Sequence, residues 1–226
     1  MKTIKKPTLL QVIIFIGAWL PLIRIIYLYF NGGLGVNPIQ DLEQRTGRIA
    51  ITLLVISLAA TPLNILTGWR EISKRNRALG LYAFMYANIH VITFLWLDYG
   101  FDLGQILGIL VEKYYIIFGT LTFLILLSLA LTSFDSSKRW LKKNWKKLHK
   151  LVYYAGILVV IHYALAKKGD IFSLQGDVVR PFVYGIIVIL LLLMRYKPIR
   201  SFIQTQRKKI VSTIKSRKQS KDTELV

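Results

Sequence analysis

The stretch Trp145-Lys146-Lys147-Leu148-His149-Lys150-Leu151-Val152-Tyr153-Tyr154-Ala155-Gly156-Ile157-Leu158-Val159-Val160-Ile161-His162-Tyr163 decides the fold and points to the chemistry. Its second half is apolar enough to enter a bilayer, yet it holds His149 and His162, two of the three histidines in the chain. An ionisable side chain inside a membrane helix is costly, and it usually faces the bundle interior or a cofactor. The remaining histidine, His90, also lies within an apolar run.

The surrounding chain fits that reading. Its 226 residues are 54% hydrophobic, with a mean hydropathy of +0.48, well above the roughly 45–50% apolar content of soluble domains. This is the composition of an integral membrane protein. There is no cysteine, which excludes disulfides, zinc thiolates, iron–sulfur clusters and covalently attached c-type haem. A net charge of +20 would suggest nucleic acid in a soluble protein. Here the basic residues fall between apolar runs, where they orient a membrane protein, and no nucleic-acid partner is expected.

Apolar segments run over 8–30, 47–66, 78–97, 114–133, 149–166 and 178–196, each near the ~20 residues that cross a bilayer. The expectation is an all-α, six-helix membrane bundle over 1–196, followed by a basic tail over 197–226. Lys2, Lys5 and Lys6 precede the first run, but it is too long for a signal peptide and lacks a small-residue cleavage site. With both termini on one side, that side carries 24 of the 31 Lys and Arg residues, against six on the other and Arg24 within the first run. The positive-inside rule therefore places both termini in the cytoplasm. Residues 103–111 are too short to cross and are expected in the outer interface. The tail reads as a helix lying on an anionic inner leaflet, and Trp19, Trp96, Tyr99, Trp140 and Trp145 as interface anchors. No internal repeat is visible.

Helical rise gives the histidines their depths. His90 lies about twelve residues into the third run and His162 thirteen residues beyond His149, or roughly 20 Å deeper at 1.5 Å per residue. His90 and His162 therefore share a level. Two neutral imidazoles at one depth on different helices suit the axial positions of a b-type haem held without a covalent bond. Zinc would need further ligands at that level. A single membrane histidine more often bonds a neighbouring helix, so the pair carries the inference. At the level of His149 the third run offers Arg77, which could pair with a propionate. A second haem with His149 as ligand and a plain basic rim are both compatible with that spacing. His149 and His162 lie about 140° apart around an ideal helix, so a shared face needs tilt or a kink.

Leu131-Thr132-Ser133, the run from Trp145 to Tyr153, and His162-Tyr163 resemble the ferric-reductase-like transmembrane proteins. More closely they resemble the MsrQ family, formerly YedZ, the haem-binding membrane subunits of bacterial methionine sulfoxide reductase systems. Thr46-Gly47, Thr61-Pro62-Leu63, and Arg77-Ala78-Leu79-Gly80-Leu81 leading through Ala83-Phe84 and Tyr86-Ala87 to His90 extend the likeness over about residues 45–196. Val111-Glu112-Lys113-Tyr114 departs from the Trp-Arg-Pro expected before the fourth run.

The resemblance implies haem b, one or two per chain, with His90, His162 and His149 as iron ligands and Arg77 as a further cofactor-binding position. It also implies FMN. Electrons would come from the quinone pool or a cytosolic flavin reductase and leave to MsrP, a periplasmic molybdopterin reductase that repairs methionine sulfoxide in envelope proteins. The location would be the bacterial inner membrane. The chain would be an electron-transfer subunit, since the roughly thirty residues after Arg195 cannot form a flavin and nicotinamide domain. The alternatives are a membrane component that reduces ferric or cupric ions directly, and a transporter or proton channel with structural histidines.

Overall fold

A computed structural model describes residues 6–167, 169–170 and 175–224, with main chain alone at 169–170, 175–176, 211 and 214–224. Lys2, Lys5 and Lys168, which enter the charge balance, lie outside the described residues. The molecule is an all-α membrane bundle. Its only extended pieces among the described residues are Gly169–Asp170 and Gln175–Gly176, paired antiparallel.

Local chemistry starts and stops the helices. Helix α1 (Leu9–Phe30) begins with a capping box, in which Thr8 accepts from the Gln11 amide and the Gln11 side chain returns to the Thr8 amide. Helix α2 (Pro38–Thr67) has Asn37 as its cap, Pro38 in its first turn and Gly68 at φ 79° as its stop. This helix starts nine residues before the expected 47, because the polar residues after Pro38 continue the helix rather than form a loop. That extension brings Glu43 onto the same rod as Gly47. After the short α3 (Arg70–Ser73), α4 (Asn76–Ile92) carries His90 and runs without a break into a π-helical stretch, Thr93–Asp98. Such wide turns concentrate near functional sites.

Residues 103–111, expected not to cross, form α5 (Leu103–Glu112), capped by Asp102. It exposes Leu103, Leu107 and Val111 along one stripe, as an interfacial helix would. Helix α6 (Tyr114–Leu131) follows, then α7 (Asp135–Leu141), α8 (Lys143–His149) and α9 (Val152–Leu165). The fifth run is thus interrupted at Lys150 and Leu151, whose amides bond only three residues back. Lys143–Leu165 nevertheless counts as one candidate span.

The last apolar run departs from a full span. Helix α10 (Val179–Leu193) has 15 residues, about 22 Å at 1.5 Å per residue, against a ~30 Å hydrocarbon core. Its continuation, α11 (Lys197–Glu224), turns away by 77°. Among the described residues there are therefore five helices long and apolar enough to cross a membrane, or six if the bent pair is one span.

Helices α2 and α4 pack along one another, α6 and α9 do the same, and these two pairs form the bundle. Leu54, Ala83, Tyr86, Leu126 and Ala155 fill the centre, with Ala83 and Ala155 fully buried. Small residues at these crossings let the backbones approach, which is the main source of helix affinity in lipid. The Tyr86 hydroxyl donates to the Ala18 carbonyl at 2.6 Å and ties α1 to the bundle. At the other end of α2, Arg207 of α11 donates to the carbonyls of Asn64 and Ile65 at 3.1 and 3.2 Å. The tail helix is thereby attached to the bundle through a cation at a helix C-terminus.

Candidate functional site

The bundle brings His90 and His162 together. Their ring centres lie 6.2 Å apart with planes at 78°. Each ring is held from behind by main chain. His90 Nδ1 bonds the Glu43 carbonyl at 3.0 Å, and His162 Nδ1 bonds the Tyr115 carbonyl at 2.7 Å. A carbonyl oxygen can only accept, so both Nδ1 atoms carry the hydrogen and both Nε2 atoms keep a lone pair. Among the described residues neither Nε2 makes a hydrogen bond.

Such a donor set would suit two axial ligands. A first-row metal binds an imidazole nitrogen at about 2.0–2.1 Å, and that nitrogen sits about 1.15 Å from its ring centre, so two imidazoles in line across one ion have ring centres about 6.4 Å apart. The observed 6.2 Å matches. Among the described residues no group of three or more His, Cys, Asp or Glu side chains could hold a metal ion, which disfavours a bare-ion site. Fixing the tautomer through an Nδ1–carbonyl bond is also how metal-bound histidines are generally oriented. The residues present therefore fit a six-coordinate haem iron.

The sequence reading placed His90 and His162 at one level but missed what holds them. Both anchors are main-chain carbonyls, which no side-chain pattern reveals. Glu43 was assigned to a loop because the second span was expected to start at 47. Its Oε1 is buried with no hydrogen-bond partner among the described residues, while its main-chain carbonyl is what meets His90.

His149 belongs to a different environment. It lines a cavity of about 480 Å³ with Ser57, Thr61, Asn76, Arg77, Tyr153 and Arg195. Its ring stacks on Trp145 with centres 4.0 Å apart. His149 Nε2 lies 3.3 Å from the Thr132 hydroxyl, and the Trp145 indole donates to the Thr132 carbonyl at 2.9 Å. Trp145, expected as an interface anchor, is instead a wall of this cavity. Arg77 shares the cavity but its guanidinium is 3.6 Å from Asp135 and half exposed. Arg195 donates to the Tyr153 hydroxyl and the Leu58 carbonyl, both at 2.7 Å, while its Nε and the Asn76 Oδ1 are buried with no partner among the described residues. Thr132, Asp135 and Arg195 were not anticipated as parts of this site. The cavity offers cations and free polar atoms to an anionic group, without a second imidazole at its level.

Comparison with known proteins agrees with this arrangement. Residues 46–160 match the family described as ferric reductase like transmembrane component. The chain is 38% identical over 189 residues, 83% of its own length and 84% of the relative's, to the protein-methionine-sulfoxide reductase heme-binding subunit MsrQ of Herminiimonas arsenicoxydans. With the helices, the histidine pair and this likeness along most of both chains, the protein belongs to the ferric-reductase-like transmembrane family and, within it, to the MsrQ family.

Proposed function

We propose that this chain is a haem b electron-transfer subunit of the bacterial inner membrane, with both termini in the cytoplasm. It would take electrons from the quinone pool or a cytosolic flavin reductase and deliver them to a periplasmic MsrP-like molybdopterin reductase that repairs methionine sulfoxide. The observation that carries the proposal is the His90–His162 pair, whose ring spacing and carbonyl-held Nδ1 atoms suit two axial imidazoles. The charge distribution supports the orientation, and the relative's name supports haem and the repair system.

His90 and His162 would hold the haem, which when bound supplies a one-electron carrier between the two faces of the membrane. The Glu43 and Tyr115 carbonyls would fix the tautomer and orientation of each ring and leave Nε2 available. Carbonyl acceptance at Nδ1 raises the basicity of Nε2 and favours the oxidised, more positive iron. The apolar surroundings work in the opposite direction by disfavouring added charge. At the other site, Arg77 and Arg195 would receive carboxylate or phosphate groups. A second haem with His149 as ligand, or FMN, would suit that cavity.

Purified protein should show a Soret band and a low-spin spectrum, with haem per chain measured against protein. A ratio of two assigns the second haem to the His149 cavity, and a ratio of one leaves that cavity to FMN or another anion. Direct reduction of ferric or cupric ions is the nearest alternative; methionine sulfoxide repair that survives deletion of the gene would favour it. Glu43 beside His90 is the feature that suits a proton channel, and a purified protein without Soret absorbance would favour that alternative.

A further inference from the structure

The two histidine seats are copies of one another. The Glu43 carbonyl, Gly47 and His90 recur 72 residues later as the Tyr115 carbonyl, Gly119 and His162. In each copy the carbonyl belongs to the residue four before the glycine, and the imidazole lies against that turn. The buried Ala83 and Leu54 recur at the same offset as Ala155 and Leu126, all in one core cluster. Helix pairs α2/α4 and α6/α9 thus share a contact pattern, an internal repeat not visible in the unaligned sequence.

The glycines have no turn to make, since both lie inside helices. A glycine in a helix interior is destabilising relative to alanine, so space is the remaining reason for them. A Cβ at Gly119 would stand 2.7 Å from His162 Nδ1 and 2.8 Å from Cε1; at Gly47 it would stand 3.3 Å from both the Nδ1 and the Cε1 of His90. Ordinary contact begins at 3.4 Å. The first therefore intrudes by about 0.7 Å and the second by about 0.1 Å. At Gly119 the atom met first is the Nδ1 that bonds the carbonyl, so a methyl group strikes the hydrogen bond itself; at Gly47 Nδ1 and Cε1 are met together.

We propose that Gly119 and Gly47 are positioning residues for the ligand imidazoles. Their missing side chains let each ring sit back against its partner helix, reach the carbonyl and hold the 6.2 Å spacing. The inference rests on the assignment of haem to this pair. It further states that the two seats differ in tolerance, with Gly119 the stricter.

The test uses the full-length protein purified with its native haem. Gly119→Ala should lower haem per chain at least fivefold or convert the remainder to a high-spin spectrum, while helical circular dichroism is unchanged. Gly47→Ala should retain haem and low-spin character with a shifted reduction potential. Gly17→Ala and Gly108→Ala, where an added Cβ meets nothing within 4 Å, should match the wild type. A thermal-midpoint cycle separates seating from folding: in a His162→Ala background the new methyl has no ring to meet, so Gly119→Ala should no longer lower the midpoint. An undiminished cost in that background overturns the inference even where Gly119→Ala binds no haem. An unaltered Gly119→Ala spectrum, or a Gly47→Ala defect larger than that of Gly119→Ala, overturns it as well. A wild-type protein without haem instead sinks the functional assignment on which it rests.

Discussion

The His90–His162 pair and the His149 cavity use the same residue type for opposite designs. In the pair, each imidazole is fixed by main chain, its tautomer is determined, and the two rings face one another across 6.2 Å. In the cavity, a single imidazole leans on Trp145, touches a rotatable hydroxyl at 3.3 Å and shares space with arginines. Main-chain acceptors cannot rotate away, whereas a threonine hydroxyl can. On the proposed assignment, the first site would be preorganised for an ion that demands fixed geometry, and the second for an anionic group that tolerates adjustment. Preorganisation is what keeps the reorganisation cost low on each change of charge.

The largest effect should come from the pair. His90→Ala or His162→Ala is expected to remove at least nine-tenths of the low-spin absorbance, whereas His149→Ala should leave the pair's spectrum in place. Equal losses in all three would erase the distinction between the sites. The next effect tests the cavity by gain. Arg77 stands 72 residues before His149, the offset that relates His90 to His162. Arg77→His should therefore raise haem per chain or sharpen a second low-spin signal. Titration of haem into the purified variant measures it, and no change would show that the cavity lacks the pair's geometry.

Smaller effects separate main chain from side chain. Glu43→Gln keeps the carbonyl that binds His90, so the spectrum should be unchanged. Removing a buried, unpartnered carboxyl should raise stability by about 1 kcal/mol, read from thermal unfolding. A lost Soret band would assign the seat to the carboxyl instead. Arg207→Ala should cost about 0.5–1 kcal/mol, since it leaves the last carbonyls of α2 without their cation, and should speed proteolysis of the tail.

The least effect concerns Asp177, whose carboxyl accepts from Lys167 at 2.5 Å. That hydrogen bond holds its pKa below the ordinary 3.8. A depressed carboxylate contributes stability at neutral pH and loses it as pH falls through its lowered range. Asp177→Asn should abolish only this acid limb of the thermal midpoint, below about pH 3.8.

The common level of His90 and His162 was legible because it depends only on helical rise and span direction. Their seats were not, because a carbonyl carries no residue signature and because polar Glu43 hid the true start of α2. The 72-residue offset was present in the letters, but a few matching positions scattered among apolar ones do not rise above background until contacts align them. The cavity was harder still. Asp135 claims part of Arg77, and Arg195 enters from a distant helix through Tyr153 and Leu58. Those meetings depend on crossing angles that hydropathy does not encode.

Helix α2 meets every part of this arrangement. Its first turns accept His90, its middle contributes Ser57 and Thr61 to the cavity, and its last carbonyls are gripped by Arg207 of the tail. Its thirty residues span about 45 Å, and Pro62, just before the carbonyls that Arg207 holds, removes one main-chain hydrogen bond near that end. Arg207 and the seat of His90 thus stand at opposite ends of one helix, so any load on α11 would reach that imidazole through Pro62 and the length of α2.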